Sequence, residues 1–160
     1  MPPDNALVID QFYRAFQARD FRTMQTCYHE QVVFSDPVFQ QLKGKEANAM
    51  WHMLIANGSD LQLTWRDVKA AGDTGTCYWE AAYTFSGSGR KVVNIIHAVF
   101  EFRDGKIFRH TDQFDLWKWT RMALGITGIL LGWSNFFQNK IRKKAGIALH
   151  KFIEAHPEYR

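Results

Sequence analysis

The sequence predicts an α+β domain. Three observations carry this: helical periodicity near the amino end, four alternating apolar runs joined by glycine-containing turns after it, and a last helical stretch beyond Trp119. A chain of 160 residues is long enough to bury a core without disulfides or metals. Its 13 Phe and 6 Trp suit either a dense core or the walls of an apolar ligand pocket.

Pro2, Pro3 and Asp4 make a helix start, with acid in the first turn. Val8, Ile9, Phe12, Tyr13 and Phe16 then fall on one helical stripe. Arg19-Asp20 interrupts it, and Phe21, Met24 and Tyr28 predict a second, shorter helix. Val32-Val33-Phe34 predicts a short strand stopped by Asp36-Pro37. After the turn at Gly44, residues 45–56 read as a third helix with Ala49, Met50, Met53 and Leu54 inward, closed by Asn57-Gly58.

Strands are predicted over 61–70, 76–85, 91–102 and 106–117. Their joints, Gly72-Asp73-Thr74-Gly75, Ser86-Gly87-Ser88-Gly89 and Asp104-Gly105, are hairpin signals. Alternation puts Cys77, Trp79, Ala81, Tyr83 and Phe85 on one face of the second of these strands. On the last, Phe108, His110, Asp112 and Phe114 share a face that should meet the helices. An inward carboxylate is costly, and desolvation raises its pKa, so Asp36 and Asp112 are candidate bases. From residue types alone, the pair His110 and Asp112 reads first as structural, bonded to each other or to backbone at a strand end.

Residues 122–133 are almost wholly apolar but hold three glycines, and they fall short of the ~20 residues that a membrane span needs. Ser134 caps a final helix through Phe152, with Phe137, Ile141, Leu149 and Phe152 on its apolar side. The chain thus divides into a domain at 1–119 and a helical extension at 120–160 packed on it. The extension is expected to cap the cavity, with membrane-surface contact through Trp133, Phe136 and the 140–144 basic run as the lesser reading.

The net charge of +4 is modest, and aromatics do not alternate with the basic run, so no nucleic-acid partner is expected. Cys27 and Cys77 lack metal-type spacing; with no secretory leader they read as reduced thiols of a cytoplasmic protein. No metal or cofactor is expected. Val93, Ile95 and Val99 supply apolar area on the outer sheet face, which predicts a homodimer.

Taken in order, the helix, Arg19-Asp20, the second helix, Val32 to Pro37, Gly44, the third helix, Gly105-Lys106-Ile107 and the final Phe114-Asp115 resemble the nuclear transport factor 2-like superfamily of cone-shaped α+β barrels. The resemblance runs from Ala6 to Trp117 and is nearest to the SnoaL-like polyketide cyclases and the ketosteroid isomerases. It implies three helices packed on a curved, mostly antiparallel sheet. It places Asp36 where ketosteroid isomerases keep a proton-shuttling aspartate, and Phe12 and Ala98 where their two oxyanion donors stand. Asp112 falls where SnoaL-like cyclases carry an acid/base aspartate. The resemblance therefore implies a hydrophobic pocket holding Asp36, His110 and Asp112, walled by Phe12, Phe16, Trp79, Tyr83, Phe85 and Phe114. The expected function is binding of an apolar small molecule, with cofactor-free isomerase or cyclase chemistry on a steroid- or polyketide-like carbonyl compound. The alternative is non-catalytic binding of a lipid-like ligand, or a structural dimerisation module.

Overall fold

The computed structural model describes residues 4–160, so the helix-start role of Pro2 and Pro3 lies outside the described residues. Asp4 caps α1 (Asn5–Gln17): its Oδ1 accepts from the Ala6 and Leu7 amides at 3.0 and 3.3 Å. Ile9, Phe12, Tyr13 and Phe16 are buried as the stripe predicts. The helical turn carries Tyr13 off Phe12's side, but only to another part of the core. Phe12 meets Tyr28 and Trp51, while Tyr13 meets Trp65 and Trp79.

Asp20 caps the short α2 (Phe21–Cys27) by accepting from the Thr23 amide at 3.0 Å. Tyr28 does not close that helix as its spacing suggests. Its backbone is extended and it opens β1 (Tyr28–Ser35), pairing with Ile107. A two-residue strand without a sequence signal of its own, β2 (Leu42–Lys43), pairs with Val33 and Phe34. Gly44 follows at φ +54°, where a Cβ would stand 3.0 Å from the Glu30 carbonyl oxygen, so only glycine turns the chain there without strain.

α3 (Lys45–Asn57) buries Met50, Trp51 and Met53, among others. Leu54, expected inward, is 37% exposed, because the face that meets the sheet is centred on Met50 and Trp51. The four long strands are β3 (Gln62–Ala71), β4 (Thr74–Phe85), β5 (Arg90–Arg103) and β6 (Lys106–Gln113). They form an antiparallel meander, and β1 adds to it parallel to β6, giving the order β2-β1-β6-β5-β4-β3. The core lies between α1, α3 and the inner face of this sheet, which makes the cone-shaped α+β fold that the motif order implied.

Two details of β6 depart from simple alternation. Phe102 pairs with Ile107 and Glu101 with Arg109, so Phe108 is an extra residue in the ladder. Ile107 therefore points inward and is fully buried, whereas Phe108 lies under the Arg103 guanidinium at 3.7 Å. The strand also stops at Gln113 rather than reaching Trp117. Asp115 accepts from the Lys118 amide at 3.1 Å and starts α4 (Leu116–Leu124).

The chain continues through α5 (Ile126–Leu131), α6 (Asn135–Ala155) and a short 3-10 turn (Pro157–Tyr159). The line drawn between 119 and 120 falls inside α4. α5 lies so tightly on α4 that a Cβ at Gly128 would collide with the Thr120 carbonyl. Ser134 caps α6 as expected, and Leu149 is buried where that helix crosses α3. The Tyr159 hydroxyl then meets Gln25 Nε2 at 2.8 Å and His52 Nδ1 at 2.9 Å.

Candidate functional site

β6 brings His110 and Asp112 to the inner face, where both are buried. They terminate a hydrogen-bond chain drawn from three other elements. Trp51 Nε1 in α3 donates to the Tyr28 hydroxyl of β1 at 2.8 Å. That hydroxyl lies 2.7 Å from His110 Nδ1, and His110 Nε2 lies 2.9 Å from Asp112 Oδ1. Trp79 Nε1 of β4 donates to the same oxygen at 3.4 Å. One assignment of protons satisfies the whole chain: a neutral imidazole with its hydrogen on Nε2, accepting the Tyr28 hydroxyl on Nδ1. An imidazolium would leave the buried Tyr28 O–H without an acceptor. Every donor in the chain then points towards Asp112.

Packing closes this group from one side. The rings of Phe12, Phe34, Trp51 and Phe100 surround His110 at centroid distances of 5.6, 5.0, 5.8 and 4.5 Å, Trp51 being stacked on it. Asp112 is less enclosed. Both of its bonds fall on Oδ1, and among the described residues no donor meets Oδ2. Directly across the ladder stands Ala98, one of the two positions at which the resemblance placed an oxyanion donor. The other, Phe12, is equally apolar and buried. Tyr13 lies nearby; its hydroxyl is buried without a hydrogen-bond partner, and burial together with the Asp112 charge holds its pKa well above the ordinary tyrosine value.

Asp36 sits just past β1 in a turn that its own side chain holds. Its Oδ1 accepts from the Val38 and Phe39 amides at 2.7 and 2.6 Å, and its amide donates to the Phe39 carbonyl at 2.7 Å. Although part of the residue reaches the surface, burial of the carboxyl pushes its pKa up to about 7; the Asp112 charge adds to this and the two amides oppose it. Burial raises the Tyr83 hydroxyl, the Trp119 hydrogen bond opposes this, and the Asp36 charge adds a little to the rise. The Tyr83 oxygen accepts from Trp119 Nε1 at 2.7 Å, which leaves its own hydrogen free to donate.

The six expected wall residues separate into two groups. Phe12, Phe16 and Trp79 lie deep, around Trp51. Tyr83 and Phe85 stand further along β4 against Trp119 of α4, and Phe114 lies half-buried in the β6–α4 link. Surface hollows of about 430 and 290 Å³ lie respectively by Phe102 and Phe108, and between Phe39 and α6; neither is lined by Asp36, His110 or Asp112. Among the described residues no cluster of His, Cys, Asp and Glu is arranged to hold a metal ion.

Sequence reasoning missed Tyr28, Trp51 and Trp119. A signal for Tyr28 was present, since Tyr28, Val32 and Phe34 stand an even number of residues apart, on one strand face, once β1 begins at Tyr28. Nothing in the sequence distinguished Trp51 or Trp119 from any other core aromatic.

A cone of helices and sheet with polar groups gathered on its inner face defines a class, the nuclear transport factor 2-like domains. Within that class, the chain belongs to the family described as the SnoaL-like domain, which matches residues 9–110. The match stops at His110, before Asp112 and the helical tail. No curated protein matches the chain significantly.

Several solved structures are similar. IdmH, a putative polyketide cyclase from Streptomyces antibioticus, is 21% identical over 77% of this chain and 99% of its own, with a TM-score of 0.65. A nuclear transport factor 2-like protein of unknown function from Burkholderia pseudomallei is 16% identical over 74% of this chain and 97% of its own, at TM-score 0.64. A protein with a ketosteroid isomerase-like fold from Catenulispora acidiphila, in complex with trimethylamine, is 14% identical over 72% and 91%, at TM-score 0.64. Identities this low establish the fold alone.

Proposed function

We propose that the protein binds an apolar carbonyl compound of steroid- or polyketide-like shape and moves a proton beside the carbonyl without a cofactor. The observation that carries this reading is the grouping of Asp36, with a carboxyl pKa near neutrality, with the Asp112 carboxylate and the unspent hydrogen of Tyr83. A base works best when its pKa lies near the working pH. Asp36 takes the α-proton, and the C–H electron pair moves to form the enolate. The Tyr83 hydroxyl donates to the enolate oxygen. Return of the proton to another carbon completes an isomerisation; attack of the nucleophilic carbon on a second carbonyl completes a cyclisation. Asp112 presents its free oxygen to the same space, and His110 acts as a positioning residue that fixes the other. Phe12, Phe16 and Trp79 supply apolar walls on the Asp112 side, and Phe85 and Phe114 on the Tyr83 side.

The test follows α-proton exchange of apolar cyclic ketones and 1,3-diketones in heavy water by NMR. Wild type should accelerate exchange, and Tyr83→Phe should lose about 10²–10³-fold with little change in fold, the usual effect of one missing oxyanion donor. Exchange at the background rate for every compound that binds would reject the catalytic reading. A second reading, non-catalytic holding of an apolar or lipid-like ligand, is favoured by the closed packing around His110. It predicts binding that Trp79→Ala alters, with no exchange.

We further propose a homodimer through the outer face of β4 and β5, where Val93 and Ile95 are 45% and 50% exposed. Sedimentation should give a dimer at micromolar concentration that Ile95→Lys converts to monomer; a monomeric wild type would refute this. The two cysteines, buried and unpaired with thiols pushed up to about 11 and about 12, support a reducing compartment such as the cytoplasm.

A further inference from the structure

The helical extension carries a charge pattern unlike the rest of the chain. From Leu116 to Ile153 there are seven Lys or Arg residues and no Asp or Glu. With 20 basic and 16 acidic residues in all, the remainder of the chain holds 13 and 16 and is net negative. The same segment bears the most exposed apolar surface of the molecule. Ile126, Leu130, Trp133 and Phe136 are 63–75% exposed, and Ile129 and Leu131 are about half exposed.

Two indoles tie this surface together. Trp117 Nε1 donates to the Ile129 carbonyl at 3.3 Å, and Trp133 Nε1 to the Leu130 carbonyl at 2.9 Å, which ties both indoles to α5. Cations rim the patch directly: Arg121 stands 4.5 Å over the Trp117 ring, and Lys140 4.7 Å over Phe136. Along α6, Phe136, Lys140, Lys143 and Ile147 recur at helical spacing, so apolar and cationic side chains share one face. Singly scattered exposed apolar residues need no explanation, but six from Ile126 to Phe136 do.

Charge decides what covers it. A two-fold contact with a second copy would set two uniformly cationic rims against each other. An anionic bilayer surface neutralises them, and indole rings favour the boundary between headgroups and acyl chains. Among the described residues no helix is long and apolar enough to cross a membrane, so the extension would lie on the surface.

We propose that α4, α5 and the start of α6 form a docking face for anionic phospholipid surfaces, with Ile126, Leu130, Trp133 and Phe136 entering the headgroup layer and Arg121, Lys140 and Lys143 against the lipid charges. This does not rest on the acid/base reading. It does bring the two into register, because Trp119 of α4 bonds Tyr83 and Arg142 Nε of α6 donates to the Pro37 carbonyl at 2.8 Å, beside Asp36. The docking face and the group of Asp36 and Tyr83 thus share two helices.

The experiment is flotation of the full chain with vesicles of pure phosphatidylcholine and of phosphatidylcholine mixed with phosphatidylglycerol. Wild type should float with the mixed vesicles and much less with the neutral ones, and salt should weaken binding by screening. Trp133→Ser with Phe136→Ser should lower the partition coefficient at least about tenfold. Lys140→Gln and Lys143→Gln should each lower it about fivefold on anionic vesicles alone. All four positions are exposed, so circular dichroism should be unchanged. Absence of binding to anionic vesicles overturns the proposal, as does binding that none of these variants reduces. Self-association that the Trp133 and Phe136 changes abolish, without vesicle binding, would assign the face to a second copy and overturn it equally.

Discussion

Asp36→Asn should lower catalysed α-proton exchange by about 10²–10⁴-fold, the range spanned by a positioned general base. Asparagine is nearly isosteric, and its carbonyl oxygen can still accept from the Val38 and Phe39 amides, so the turn should survive. The wild-type rate should rise with pH as Asp36 ionises through about 7. The same substitution should have the opposite effect on stability. The folded carboxyl has a raised pKa, so between the unfolded value near 4 and the folded value near 7 the folded state binds more protons. Stability from this group is therefore full below the unfolded pKa and is lost as pH rises through about 7. Asparagine does not titrate, so the variant should gain on wild type over that window, by about 1 kcal/mol or more at pH 8. Urea unfolding at pH 5 and pH 8 measures this. A difference between the two proteins that does not grow with pH would mean that Asp36 is not desolvated in solution.

Trp51→Ala should cost about 3–5 kcal/mol, enough to endanger the fold of a domain this size. Its ring touches Phe12, Phe16, Phe34 and His110 at centroid distances of 5.2–5.8 Å, and its removal leaves a cavity that four other rings cannot collapse into. It also strips the Tyr28 hydroxyl of its donor. Trp51→Phe separates the two effects, since it keeps much of the packing and loses the hydrogen bond, at about 1–2 kcal/mol. Denaturant midpoints for the two variants make the comparison. Equal losses would show that the hydrogen-bond chain, not the packing, dominates at this position.

The order of elements was legible because it rests on local rules. The stripe at Ile9, Phe12 and Phe16 and the hairpin turns at Asp104-Gly105 and Gly72-Asp73 are periodicity and turn chemistry, and both hold in the structure. The inward face of His110 and Asp112 followed from alternation alone, and both are buried. Errors arose where two local signals compete. Tyr28 fits a helical stripe and a strand equally well, and only pairing with β6 makes it a strand residue. Trp117 continues an apolar run, but Asp115 supplies a cap, and the helix begins there instead. Phe108 and Ile107 exchanged sides because a bulge depends on the partner strand's register, which no single strand encodes.

By itself, then, the sequence determined the α+β class, the candidate carboxylates and the cationic, apolar tail, since composition and periodicity act over a few residues at a time. Only the tertiary structure decided what those groups touch. Tyr28, Trp51, His110, Asp112 and Trp79 come from four elements and meet in one hydrogen-bond chain, and α5 lies with its apolar side chains outward on α4. The physical reason is that hydrogen bonds and desolvation are properties of neighbours in space. Asp36 reaches about 7 because of the burial and the second carboxylate that folding brings to it, and neither is written beside it in the chain.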